Sequence, residues 1–297
     1  MMATMKLIIL SIFLIHFSVF SADEINKQRQ LAHFIWMGEI SCDAHRELML
    51  LGPRSLADYG ENVDILMWVP DSLFKDAQTI FERYPLITIK SVNQWLKNSS
   101  ALVHIAGRAH DIEILLGKMA EKRCFTAQKD LVSFAVMAEL GGYYFDCTTT
   151  FTGPIALPPI LSVKVALTED DRNLITRSPW EQVDIWAFAS LRSHKIFLMA
   201  LDCHLESPAV RAWDRDYTGQ AAQCFGHALA NFFSTVSQNE LKKISWLKEE
   251  RYDLTGWYVP ELLLIKYNAG LWRKCPELNA QTYRELGITK DMLPQNE

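Results

Sequence analysis

AQKDLVSFAVMAELGGYYFD, residues 127–146, carries the most structural information in this chain. Asp130 opens an apolar run of helical character, Gly141-Gly142 stops it, and Tyr143-Tyr144-Phe145 returns as a strand that delivers Asp146. The helical steps from Asp130 to Leu140 rise about 15 Å, and the extended steps from Gly142 to Asp146 climb back about 13 Å. The spacing therefore predicts that the two carboxylates meet at one edge of a sheet. An acid at a strand end can approach a metal, a ribose or a sugar hydroxyl. The same residues also describe an ordinary Gly helix cap followed by an Asp turn.

Working outward, strands and helices alternate. Gln30 to Met37 reads as a buried strand, Asp43 to Leu51 as a helix closed by Gly52-Pro53, Val63 to Val69 as a strand, Ser72 to Arg83 as a helix and Leu86 to Lys90 as a third strand. Past the central stretch, Val163 to Leu167 and Val183 to Ala189 read as strands, His194 to Leu205 and Gln220 to Phe233 as helices, and Tyr258 to Tyr267 as a strand. This order predicts an α/β fold with a mostly parallel central sheet and helices on both faces.

The 297 residues can bury a sizeable core, and 49% apolar with 22% charged residues describes a globular chain rather than a disordered one. A net charge of −5 gives no electrostatic footprint for nucleic acid, and no basic stripe interleaved with aromatics is present. At the N-terminus, Lys6 precedes an apolar run from Leu7 to Phe20, with Val19-Phe20-Ser21 placing small residues where a signal peptidase inspects. Residues 1–21 are therefore expected to be a cleaved signal peptide and 22–297 one domain, exported and with no permanent membrane span. An uncleaved signal-anchor that tethers the chain to a membrane is the alternative. Six cysteines permit disulfides in such a compartment, but their pairing is not readable, and no C-x-x-C pair points to zinc.

Ile35-Trp36-Met37-Gly38, then Asp130 sixteen residues before Asp146, with Gly141-Gly142-Tyr143-Tyr144 between them, resemble the glycosyltransferases that carry a D-x-D sugar-binding region. That group includes the Golgi initiating mannosyltransferases and the glucosylating domains of large clostridial toxins. The resemblance covers Gln30 to Phe151 well and the remainder faintly. It implies a GT-A fold and transfer of a sugar from a UDP- or GDP-linked donor to a protein, glycan or lipid acceptor, with retention of configuration. Trp36 matches the aromatic residue stacked on the donor base, Asp130 the acid on donor sugar hydroxyls, and Asp146 the first Asp of the D-x-D pair. Asp184, in a strand resembling the one near the transferring sugar, is a second candidate catalytic residue beside Asp146. Lys266 and Trp272 fall in a segment similar to the family's closing His-x-x-x-x-Ser-Trp stretch, which contacts the diphosphate and the metal.

Two departures stand beside these matches. Ser133 replaces the Arg three residues after Asp130, and Thr148 replaces the second Asp of D-x-D. A neutral hydroxyl is a poor ligand for Mn²⁺ or Mg²⁺, which leaves Asp146 as a weak metal ligand and a divalent cofactor doubtful. The departures define an alternative: a secreted nucleotide-sugar- or glycan-binding protein that kept the fold and lost the reaction. Two further readings start from single residues, a cysteine hydrolase on Cys147 or Cys124 with His104 or His110, and a metal site from His104, His110 and Glu113.

Overall fold

The computed structural model describes residues 29–168, 185–206, 220–252 and 256–267, with isolated positions at 284, 287, 289 and 292. The strands are β1 (Gln30–Ile35), β2 (Gly60–Glu61), β3 (Val63–Val69), β4 (Ile87–Ser91), β5 (Gly142–Phe145), β6 (Thr149–Phe151), β7 (Ile155–Ala156), β8 (Val163–Thr168), β9 (Ala187–Ser190), β10 (Ser245–Tyr252), β11 (Gly256–Val259) and β12 (Leu264–Tyr267). The helices are α1 (Asp43–Tyr59), α2 (Phe74–Ile80), α3 (Val92–Lys97), α4 (Ala109–Glu121), α5 (Phe125–Leu140), α6 (Lys195–Glu206), α7 (Gln220–Thr235) and α8 (Gln238–Leu241).

Ten strands join in the order β4-β3-β1-β5-β9-β8-β10-β11-β12-β6. From β4 through β10 the sheet is mostly parallel, as the alternation of elements predicts. The exception is β9, which runs antiparallel to both its neighbours β5 and β8. Beyond β10 the strands turn antiparallel, and this ribbon ends on β6.

Strand alternation divides the core between the two faces of the sheet. Phe34, Met67, Tyr143 and Phe145 point to one face, where α1 supplies Met49 and Leu56. Ile35, Trp68, Tyr144 and Phe188 point to the other, against α4, α5, α6 and α7. Helix α5 runs between sheet and outer helices, so its sequence is apolar all round. From Ala127 to Glu139 every residue is buried except Lys129.

Gly141 ends α5 at φ +66°, donating to Met137 O at 3.0 Å, and Gly142 follows at φ +95°. A Cβ on Gly142 would lie 2.6 Å from Leu31 O, so the reversal needs glycine for conformation and for space. Its carbonyl neighbour, Gly141 O, is held by His33 Nε2 at 2.8 Å, while Trp68 Nε1 donates to His33 Nδ1 at 3.1 Å. Two partners that demand opposite roles fix the proton on Nε2.

Three boundaries differ from the sequence expectation. Helix α1 does not stop at Leu51; it continues through Gly52 and Pro53 to Tyr59. Gly52 is there for close approach: its N–H donates to Cys147 O at 2.9 Å, and a Cβ would meet Phe34 Cε1 at 2.7 Å. The expected strand from Tyr258 to Tyr267 is a hairpin instead, because Pro260 opens a 3-10 turn that Leu263 closes in the left-handed region at φ 46°. In the segment expected as a strand from Val183, the strand begins at Ala187, and residues 183 and 184 lie outside the described residues. Residues 1–28, which include the expected leader, also lie outside them.

Among the described residues no helix is long and apolar enough to cross a membrane.

Candidate functional site

The descent of α5 and the return of β5 bring Asp130 and Asp146 to one ammonium. Lys129 Nζ lies 3.1 Å from Asp130 Oδ1 and 2.8 Å from Asp146 Oδ1. The first is an ionic contact without hydrogen-bond alignment, while the second is an aligned bond. Tyr144 OH adds a donor to the same Asp146 oxygen at 2.7 Å. The other oxygen, Oδ2, accepts from Lys266 Nζ at 2.6 Å, and that ammonium also donates to Thr148 Oγ1 at 2.6 Å.

The backbone explains why residues so far apart in sequence converge. Asp146-Cys147-Thr148 is the link that leaves β5 in the central sheet and enters β6 in the ribbon. Asp146 N donates to Trp186 O at 2.8 Å, Cys147 O receives the Gly52 N–H, and Thr149 Oγ1 donates back to Asp146 O at 2.8 Å. Strand β12 then pairs with β6 so that Lys266 stands opposite Thr149, and Tyr267 N donates to Thr148 O at 2.9 Å.

These groups border a cavity of about 400 Å³ whose walls include Trp36, Phe125, Lys129, Asp146, Thr148 and Lys266. Trp36 follows β1, held by its N–H to Trp68 O at 2.9 Å, and its half-buried ring leaves Nε1 buried with no acceptor among the described residues. At the rim Arg123 pairs with Glu39 at 2.8 Å. A larger groove of about 680 Å³ lies between α1 and α2, lined by Arg46, Arg54 and Arg83 among others. It contains neither the lysines nor Asp146, so the candidate site is the smaller cavity.

The electrostatics follow from burial and pairing. Burial alone would raise Asp146, but the ammonium groups of Lys129 and Lys266 outweigh it and hold the carboxyl well below the usual carboxylate range. Asp130, only 2% exposed, has its pKa pushed up to about 6 by burial, against the pull of Lys129. Burial and the Asp146 charge keep the Tyr144 phenol protonated, as its donor role requires.

Of the residues expected from sequence, Trp36, Asp146 and Lys266 face one cavity. Asp130 does not reach its wall; it sits behind Lys129 and acts on the cavity through that lysine. Ser133 turns away from the site and donates to Asp130 O at 2.8 Å, so it supplies no cation in place of arginine. Asp184 and Trp272 lie outside the described residues. Sequence reasoning gives Lys129 no role. The signal that could have found it is the one lysine in a helix buried on nearly every side, since a charge at such a position needs partners.

The single-residue readings find no support. Cys147 is buried, burial raises its thiol pKa, and Sγ donates to Ile35 O at 3.5 Å. Cys124 Sγ donates to Lys122 O. Among the described residues no three His, Cys, Asp or Glu side chains are grouped to hold a metal ion, His104, His110 and Glu113 included. A divalent ion also fits Asp146 poorly. Both its oxygens already accept from ammonium groups, and a cation bound there would lie beside two positive charges.

No protein-family model matches this sequence, and no curated protein matches it. Solved structures do. The chain aligns with PaToxG Glycosyltransferase over 92% of its own length and 87% of that chain, with a TM-score of 0.53 and 12% identity. A double-mutant transferase aligns over 81% of this chain and 94% of its own, with a TM-score of 0.45 and 11% identity. Mouse xyloside xylosyltransferase 1 in its apo form aligns over 67% and 80%, with a TM-score of 0.35 and 8% identity. The first likeness shows a shared fold, and with the sheet order above the architecture is of the GT-A type.

Proposed function

We propose that this protein is a glycosyltransferase that binds a UDP- or GDP-linked sugar in the cavity between Trp36 and the Lys129–Asp146–Lys266 cluster. The observation that carries this reading is the convergence of an indole, a carboxylate and two ammonium groups on one cavity where β5 ends. An indole suits a nucleobase, ammonium groups suit a diphosphate, and the carboxylate between them holds the ammonium groups in place. The fold shared with a glycosyltransferase supports the reading at the level of architecture.

In the reaction the bond between the sugar C1 and the diphosphate oxygen breaks, its electron pair staying on the diphosphate. A bond forms from an acceptor hydroxyl oxygen to C1, and the hydroxyl proton leaves to the diphosphate or to solvent. Negative charge grows on the leaving oxygen, so cations placed there stabilise the transition state more than the ground state. Retention of configuration is proposed from the resemblance, as are the roles of Asp184 toward the sugar and Trp272 toward the donor. Export through a leader at residues 1–21 is proposed as well, and the Cys203–Cys224 disulfide between α6 and α7 suits an oxidising compartment.

The test is a panel of nucleotide sugars assayed in parallel for binding by calorimetry and for diphosphate release. Binding and hydrolysis of at least one donor is the expected result. Failure of every donor to bind rejects the reading. Tight binding with no release under any condition selects the second reading, a nucleotide-sugar-binding protein, which the replacement of a carboxylate by Thr148 favours.

A further inference from the structure

The contacts of Lys266 define what sort of cation the cavity uses. Its ammonium lies 2.6 Å from Asp146 Oδ2 and 2.6 Å from Thr148 Oγ1, bridging the first and third residues of the Asp146-Cys147-Thr148 link. Lys129 grips the opposite oxygen of the same carboxylate at 2.8 Å. Both lysine side chains are largely buried, at 19% and 12% exposure, and each still borders the cavity.

An ammonium has three N–H donors. Lys266 uses two on Asp146 and Thr148, and the contacts of Lys129 are with Asp130 and Asp146, so among the described residues each lysine keeps a donor beyond these contacts. Asp146 thus holds two positive groups on its two oxygens, at a separation set by one carboxylate. A diphosphate offers acceptor oxygens over a similar span.

We infer that Lys129 and Lys266, clamped by Asp146, form a built-in diphosphate site that makes nucleotide binding and leaving-group stabilisation independent of a divalent metal. The inference rests on the donor reading above and specifies its chemistry. In it Asp146 is a positioning residue for both ammonium groups, Thr148 holds Lys266 as a neutral acceptor, and Asp130 holds Lys129 from behind. A carboxylate at position 148 would compete for the ammonium and invite a metal; a hydroxyl does neither.

The experiment uses the whole protein, with inorganic pyrophosphate and the nucleotide sugars as separate calorimetric probes, each with chelator and with added Mn²⁺. Pyrophosphate should bind in chelator, and added Mn²⁺ should not strengthen that binding. Lys266→Met should weaken it by about 10- to 100-fold, the loss expected for a hydrogen bond to a charged group, and Lys266→Arg should restore most of it. Direct Mn²⁺ titration followed by electron paramagnetic resonance should show no site in the wild type. The double variant Thr148→Asp, Lys266→Met should gain one and should bind pyrophosphate only with Mn²⁺.

Pyrophosphate binding that requires Mn²⁺, absence of pyrophosphate binding altogether, or a Lys266→Met protein that folds and binds like wild type would each overturn the inference. Metal-free pyrophosphate binding with no nucleotide sugar bound would reject the donor reading and leave the anion site standing. Nucleotide sugars bound only in the presence of Mn²⁺ would do the opposite.

Discussion

At the scale of single residues, charge and burial make the predictions. Trp36 is half-buried at the cavity wall, so Trp36→Ala should weaken donor binding by about 1–3 kcal/mol, the range for base–aromatic stacking, without unfolding the protein. Calorimetry on the folded variant checks it, and unchanged affinity would return Trp36 to the core. Acidification tests the buried histidines. Burial lowers His33 and His204 to about 4 from 6.5, so the unfolded chain takes up their protons first and stability falls as pH drops from 6.5 to 4. Each contributes on the order of 3 kcal/mol to that fall. Asp130 acts oppositely: its pKa is raised to about 6, so it binds its proton more tightly when folded, and its contribution is lost as pH rises through 6. Denaturant titrations should therefore show stability declining on acidification, and more steeply in Asp130→Asn. A flat wild-type profile, or an unchanged slope in the variant, would contradict this account. That Asp130 and Asp146 come together was legible in the sequence, because helix rise and strand rise fix where the two acids end. It did not disclose that Asp130 faces a lysine rather than the cavity, since that depends on which way α5 is rotated against the sheet. A helix buried on every side carries no amphipathic stripe to report its rotation.

At the scale of elements, the position of α1 decides whether the Asp146 link is held. Gly52 N–H donates to Cys147 O, and an added methyl would press on Phe34 and come within 3.0 Å of that carbonyl oxygen. Gly52→Ala should cost about 1–3 kcal/mol of stability, as overpacking does. Donor affinity should fall with it, because the link moves with the helix. Thermal unfolding and calorimetry on the same variant separate the two effects, and loss of stability with intact affinity would uncouple α1 from the site. The pair Gly52-Pro53 reads as a helix stop because local propensity favours one there. The stop is overridden by packing: a glycine interior to α1 is tolerated because a second chain segment takes its place against the helix. The hairpin of β11 and β12 was hidden for the converse reason. Pro260-Glu261 interrupts an apolar run too short to show two strands by periodicity, and the turn geometry divides it.

At the scale of the whole molecule, the alternation of apolar strands and helices made the parallel half of the sheet legible, since its inner strands are covered on both faces and read as hydrophobic runs. The ribbon was not, because its strands are short and their partners are distant in sequence. Lys266 illustrates the difference. Its candidacy came from resemblance, while its seat on Asp146 and on Thr148, 118 residues away in sequence, depends on β12 pairing with β6. That pairing has a temporal meaning. During synthesis Trp36, Lys129, Asp146 and Thr148 are all made before Lys266, so the central parallel strands can form while the carboxylate has only one of its two ammonium partners. On the proposed reading, anion affinity then arises only once β12 has been made, and a chain cut short before β12 would lack the second ammonium of the Asp146 cluster.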